Sequence, residues 1–287
     1  MKRRFAYSPL ILVSVVLGSP FLYAAELKPE SATAFDAYVR AYERNMQEEL
    51  SREEFLSIDQ QPLSGRSKAY EQLRRGEVLV EQRNSAERHL PGALLHHWSG
   101  TAFFPNATVD QMLAVLKDYE HYETTYGPEV VTARVLAQRG DDFKISLRLR
   151  KHKVITVLLD TDYDVRFTRP DPLHGYSRSY STRIVEIEHP GNTLNHGLPP
   201  GEDHGFLWRL NTYWRFAEKD GGVYAQCEAI SLTRDVPSGL GWLVSGFAES
   251  IPRESLIFTL NSTRKALAQQ QATAAIPTKD QTTKNWR

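Results

Sequence analysis

Glu228 is the charge in this chain whose neighbours set it apart. It alternates with Tyr224, Gln226, Ile230 and Leu232 on one face of a strand-like run, opposite the small set Ala225, Cys227 and Ala229. An ionised carboxylate buried without a partner costs several kcal/mol, so that face, if covered, must supply a cation. The run Tyr176–Glu188 carries Arg178 and Arg183 where apolar residues would be expected, and a pair from one of them to Glu228 is the expectation. Other groupings lead less far. Asp160, Asp162 and Asp164 share a strand face, but carboxylates at period two stand ~6.5–7 Å apart, too far to share one cation, and Arg148 or Arg166 is expected to partner them. His96 and His97 are strand neighbours and point to opposite faces. His196, Glu202, Asp203 and His204 lie in a Pro- and Gly-rich loop without structural-zinc spacing, so no metal is expected. Cys227, mid-run, reads as a small core residue. No G-x-S-x-G, H-E-x-x-H, Walker or Rossmann glycine pattern occurs, and no cofactor is expected.

These residues need elements to hold them. The clean alternation of Phe206–Glu218 sets Trp208, Leu210, Thr212, Trp214 and Phe216 against Arg209, Asn211, Tyr213 and Arg215. Asp220-Gly221-Gly222 signals a hairpin into the strand of Glu228. Further strands are expected at Glu77–Gln82, Leu94–Phe104, Val130–Gln138, from Phe143, and at Val154–Thr168, with Asn84–Pro91 a polar loop. Thr108 and Gln111 have the form of a capping box that opens a short helix. Beyond it a tyrosine-rich corner carries Tyr119, Tyr122 and Tyr126. Ahead of the strands, Phe35, Tyr38, Val39, Tyr42, Met46 and Leu50 form the stripe of a surface helix, and a second helical piece, Ser67–Arg75, stops at Gly76.

The chain opens on a basic n-region, Lys2-Arg3-Arg4, and an apolar stretch, Leu10–Leu17, with small residues at Ala24 and Ala25, the pattern of a secretory signal. That stretch is shorter than the ~20 residues a spanning helix needs, and no later stretch is apolar enough, so no transmembrane segment is expected after processing. The 35 basic and 35 acidic residues become three more acidic than basic once Lys2, Arg3 and Arg4 are removed, which gives nucleic acid no electrostatic reason to bind. One cysteine makes no intrachain disulfide, and an export signal without a disulfide framework suits a bacterial periplasm, or secretion from such a cell.

Last comes the stretch around which the strands are expected to close, Val236–Leu267. Leu240, Leu243, Val244, Phe247 and Ile251 recur at helical spacing, and beyond Pro252 the stripe resumes at Leu256, Leu260 and Leu267. Pro252 is expected to kink this helix or to end one segment and open the next. The order Pro237, Trp242-Leu243-Val244, Pro252 and a final amphipathic stretch resembles the last helix of the START-like (SRPBCC, polyketide cyclase-like) superfamily. The resemblance covers about 94–267. It implies an α+β helix-grip fold: a curved antiparallel sheet of about seven strands around a long C-terminal helix, with an N-terminal helical extension. The expected division is a signal peptide at 1–25, the extension at 26–90, the helix-grip domain at 91–270 and a disordered tail at 271–287. The resemblance further implies a hydrophobic small molecule or lipid held between helix and sheet, for which Tyr122, Arg178, Tyr180, Tyr213, Trp214, Glu228, Trp242, Phe247 and Ile251 are the candidate residues; Glu228, sharing its face with Ile230 and Leu232, is expected on the concave, helix-facing side. A cyclase-like enzyme, using Arg178, Tyr180, Asn211, Tyr213 and Glu228 for proton transfer, is the alternative. A protein-interaction domain whose concave side is plain core is a third.

Overall fold

The structure, a computed structural model, describes residues 26–52, 55–83, 88–152, 156–188, 196–199, 201–235 and 241–274, the last with side chains from Ser250 onward. The expected signal segment and the tail beyond Ala274 lie outside the described residues, as do the side chains of Trp242 and Phe247.

Seven long strands form the sheet: β3 (Ala93–Pro105), β4 (Val130–Arg139), β5 (Asp142–His152), β6 (Thr156–Asp171), β7 (His174–Glu186), β8 (Arg209–Lys219) and β9 (Gly222–Arg234). They are antiparallel in the order β3-β9-β8-β7-β6-β5-β4, so the first long strand pairs with the last. Two short strands, β1 (Leu79–Gln82) and β2 (Arg88–Leu90), add to β3 and bring the sheet to nine. The strand β2 corrects the expectation of a loop over Asn84–Pro91. Pro91-Gly92, with Gly92 at φ 73°, turns Leu90 back onto Ala93. The hairpin from β8 to β9 forms as expected. Asp220 and Gly221 both take positive φ, the two-residue turn whose twist matches the strands.

Five helices surround this sheet among the described residues: α1 (Pro29–Leu50), α2 (Leu63–Arg74), α3 (Val109–Lys117), α4 (Tyr122–Thr125) and α5 (Gly241–Ala274). The capping box opens α3, with Gln111 N–H donating to Thr108 Oγ1 at 3.2 Å and Thr108 N–H to Gln111 Oε1 at 3.0 Å. The helix α5 runs through Pro252 without ending and reaches Ala274, past the expected start of the tail. Leu256, Leu260 and Leu267 are buried on the concave face with Ala102, Phe104, Trp214, Phe216, Ala225 and Cys227. Gly100, paired with Cys227, lets α5 come close: a Cβ there would stand 2.9 Å from Leu260 Cδ1. The sheet gripping α5 is the α+β helix-grip architecture.

The opposite, convex face is covered too. Phe35, Val39 and Met46 of α1 pack on Ala93, Leu95, Trp208, Tyr213, Ile230 and Leu232. The helix α2 and the short segment before it pack Phe55, Leu56, Tyr70 and Leu73 onto Phe103, Ala217 and Tyr224. Strands β3, β8 and β9 are thus buried on both sides. No helix among the described residues is long and apolar enough to cross a membrane.

Candidate functional site

The two-sided burial of β9 decides where Glu228 goes. Its ladder partners are Tyr213 and Ser99, and it shares their convex face with Ile230 and Leu232, beneath α1. This corrects the expected concave position and the expected partners. The cation is Arg215, whose Nη2 donates to Glu228 Oε1 at 2.8 Å, both residues being 1 % exposed. Arg183 instead lies 3.6 Å from Asp162, and Arg178 donates to Gln47 Oε1 at 2.8 Å. The hairpin held the missed signal. Its two-residue turn sets Lys219 against Gly222, hence Tyr213 against Glu228, and leaves Arg215 one diagonal away on the same face.

Around that pair the convex face carries a polar network, with Arg215 Nε and Arg178 Nε left without a hydrogen-bond partner. Glu228 Oε1 accepts from the Tyr42 hydroxyl at 2.9 Å and from Gln226 Nε2 at 2.5 Å, while His97 Nε2 lies 2.9 Å from Oε2. An ionised carboxylate only accepts, so Nε2 of His97 carries the proton. In the neutral ring Nδ1 then accepts from Tyr38 at 2.9 Å. Burial by itself would raise the Glu228 pKa. The His97 hydrogen bond and the charge on Arg215 outweigh it and bring it down to about 2. Arg215 also donates to Glu49 Oε2 at 2.6 Å. Burial works against its charge, but Tyr42, Glu228 and Glu49 hold its pKa above the ordinary arginine value. Tyr180 and Tyr213 both donate to Glu43 Oε1, at 2.7 and 2.9 Å. Burial, then the bond to Glu43, pushes Tyr180 up to about 12. Arg178, Tyr180, Tyr213 and Glu228 therefore come together, each on a polar side chain of α1 rather than on a concave space.

The other expected residues lie on the α5 side. Trp214 is buried in the core beside Cys227, whose thiol burial pushes well up. Tyr122 packs against that core, meets Tyr119 at a tilt and Tyr126 edge-on, and donates to Leu116 O at 2.6 Å. Ile251 is half-buried on α5. The three β6 carboxylates pair with basic residues: Asp160 with Arg148 at 2.7 Å, Asp164 with Lys144 at 2.7 Å, and Asp162 with Arg183. Arg166 pairs with Asp142 instead. From the loop, His204 Nδ1 lies 2.6 Å from Glu186 Oε1.

The concave face divides into two halves. One is packed solid by α3 and the later turns of α5 over Phe143, Ile145, Tyr163, Val165, Phe167, Trp214 and Phe216. In the other, Leu147, Leu149, Ser179, Ser181, Leu210, Thr212, Ala229 and Trp98 are only half-buried. These side chains are apolar or small and uncharged. His96 shares that half through its pairing with Ser231, and it was not anticipated as a site residue. Burial, then the charge of His89, brings His96 down to about 4, so its ring is neutral near pH 7. Two surface clefts lie elsewhere. One, of about 300 Å³, is lined by Arg66, Tyr70, Arg74 and Lys219; the other, of about 400 Å³, lies between α3 and the turn at Asp141.

No protein-family model and no curated protein matches the chain. Solved structures do. The Zhui aromatase/cyclase from Streptomyces sp. R1128 aligns over 63 % of this chain and 98 % of its own at 11 % identity and a TM-score of 0.47. The STAR-related lipid transfer protein (fragment 25–204) of Xanthomonas axonopodis aligns over 66 % and 99 % at 16 % identity and a TM-score of 0.44. Human STARD10 aligns over 79 % and 88 % at 13 % identity and a TM-score of 0.43. Identities this low bear on fold alone. The first long strand beside the last, and one long C-terminal helix gripped by the sheet, give this chain a helix-grip fold.

Proposed function

We propose that this chain is an exported, non-enzymatic binding protein for a hydrophobic, lipid-like ligand, held between α5 and the sheet. What carries the reading is the uneven closure of the concave face. Part of it is fully buried under α3 and α5, while Leu147, Leu149, Leu210, Ala229 and Trp98 at the margin of that core stay half-buried. Apolar side chains left partly open between a helix and a sheet are what a ligand would cover. The positions of the residues named for the cyclase-like alternative favour binding over it, Asn211 lying on the convex face through its pairing with Ile230. Arg178, Tyr180, Tyr213 and Glu228 are on the convex side and closed off by α1. Export to the periplasm or the medium rests on the n-region, the short apolar stretch and Ala24-Ala25.

Native mass spectrometry of the protein purified from its own compartment tests the binding reading. A co-purifying apolar molecule is the expected result, lost on Ala229→Trp, which fills the open half, while the urea midpoint holds. A ligand-free protein that also fails to take up the neutral dye N-phenyl-1-naphthylamine refutes it. For export, N-terminal sequencing should begin near Ala25 or Glu26, and recovery of intact Met1 refutes the signal.

A further inference from the structure

Two buried nitrogens on the open half of the concave face have no hydrogen-bond partner. They are Trp98 Nε1 and His96 Nδ1. His96 is 1 % exposed, and its other nitrogen, Nε2, is engaged by Thr233 Oγ1 at 3.0 Å. The two residues stand two apart on β3, so both point to the concave side, where Ser231 and Ala229 are their ladder partners. Nearly all buried polar groups in folded proteins are paired, and an unpaired one carries its full desolvation cost. Two such atoms on residues two apart on one strand face, next to the half-buried strip of Leu210, Thr212 and Ala229, mark a place where a partner from outside the chain belongs.

Building on the proposed binding function, we infer that the ligand carries an uncharged oxygen, a ketone, ester or hydroxyl, which accepts from Trp98 Nε1–H and meets His96 Nδ1. The indole N–H only donates, so the ligand atom there must accept. His96 can donate or accept at Nδ1, because the Thr233 hydroxyl can take either role at Nε2. A hydroxyl or a carbonyl therefore satisfies both atoms. A carboxylate or phosphate does not fit. The concave-facing side chains described on β3, β7, β8 and β9 in this half include no lysine or arginine. Glu186, which faces the same side through its pairing with Leu159, is engaged by His204 and offers an anion no donor. Lys151, at the far end of β5, is already paired with Glu129. An anion here would be buried without a counter-charge, a cost that exceeds the gain from one N–H donor.

The test is displacement of N-phenyl-1-naphthylamine from the full-length processed protein by four probes of equal chain length: dodecane, dodecan-2-one, dodecan-1-ol and the dodecanoate anion. The ketone and the alcohol are expected to compete about tenfold better than dodecane, the worth of one well-made hydrogen bond in a dry site. The dodecanoate anion is expected to gain nothing over dodecane. In Trp98→Phe the ketone-to-dodecane ratio is expected to fall towards one. Equal competition by ketone and dodecane in the unaltered protein, which needs no variant, overturns the inference and leaves the binding function standing. Strongest competition by dodecanoate overturns it as well. No uptake of the dye and no effect of any probe removes the binding function itself.

Discussion

Arg215→Met is the perturbation that puts the convex network to its hardest test. The guanidinium is 1 % exposed and bridges Glu228 at 2.8 Å and Glu49 at 2.6 Å. Methionine keeps the length and the apolar stem, so the change removes charge and donors with little loss of volume. Glu228 would then be left with the donors of Tyr42, Gln226 and His97, and with Arg83 at 4.0 Å. Its pKa is held from an ordinary 4.5 down to about 2, which corresponds to about 3 kcal/mol of stability from the ionised form. Removing the buried cation forfeits part of that and keeps the burial cost, so the loss should be ~3–5 kcal/mol, as for other broken buried pairs. Because the folded pKa is depressed, this stability is present above the unfolded value of 4.5 and fades as pH falls through about 2. In the variant the carboxyl lacks its main counter-charge and protonates at higher pH. The deficit against the unaltered protein should therefore narrow as pH drops below neutral. Urea unfolding followed by far-ultraviolet circular dichroism, repeated in a cycle with Glu228→Gln, measures both. Coupling above about 1 kcal/mol is expected. A loss below about 1 kcal/mol that is additive with Glu228→Gln and flat with pH would refute a buried ion pair at this place.

Three further outcomes follow from the same coordinates. Tyr42→Phe removes the α1 hydroxyl that donates to Glu228 at 2.9 Å, and should cost ~1.5–3 kcal/mol, the range for bonds to charged groups; an unchanged melting curve would show that α1 is not locked by this bond. Gly100→Val places a side chain where a Cβ already meets Leu260 Cδ1 at 2.9 Å, so overpacking of ~1–3 kcal/mol is expected, and an unmoved urea midpoint would show that α5 can shift aside. Cys227 is buried and its thiol is pushed up by that burial, so thiol reagents should label it only at the rate of unfolding; prompt labelling of the native protein would contradict its position under α5.

Much of the fold was legible because strands and caps write themselves into local sequence. Thr108 and Gln111 announced α3, Asp220-Gly221 announced the last hairpin, and the alternation in β8 separated its two faces correctly. Pairing of β1 and β2 onto β3 was not anticipated, although Pro91-Gly92 carried a turn signal. The candidate site was less legible. Arg178, Tyr180, Tyr213 and Glu228 do cluster, but around α1, and Arg215, on the strand face of Tyr213, is not among the cations the sequence reading considers for Glu228.

The sequence by itself determined that Glu228 and Arg215 lie on one face of a hairpin and Ala225, Cys227 and Ala229 on the other, because side-chain period and turn length are local properties. It did not determine which face looks at α5. Each face of β9 carries apolar residues, since each is covered by a helix: α5 over Ala225 and Cys227, α1 over Ile230 and Leu232. With burial on both sides, hydrophobicity no longer separates inside from outside. Only the tertiary packing decides, when α1 brings Tyr42, Glu43 and Glu49 to the polar groups and α5 lays its leucines against the small ones. The same packing left Trp98 Nε1 and His96 Nδ1 on the open half without hydrogen-bond partners, a circumstance set by pairing between chain segments far apart in sequence.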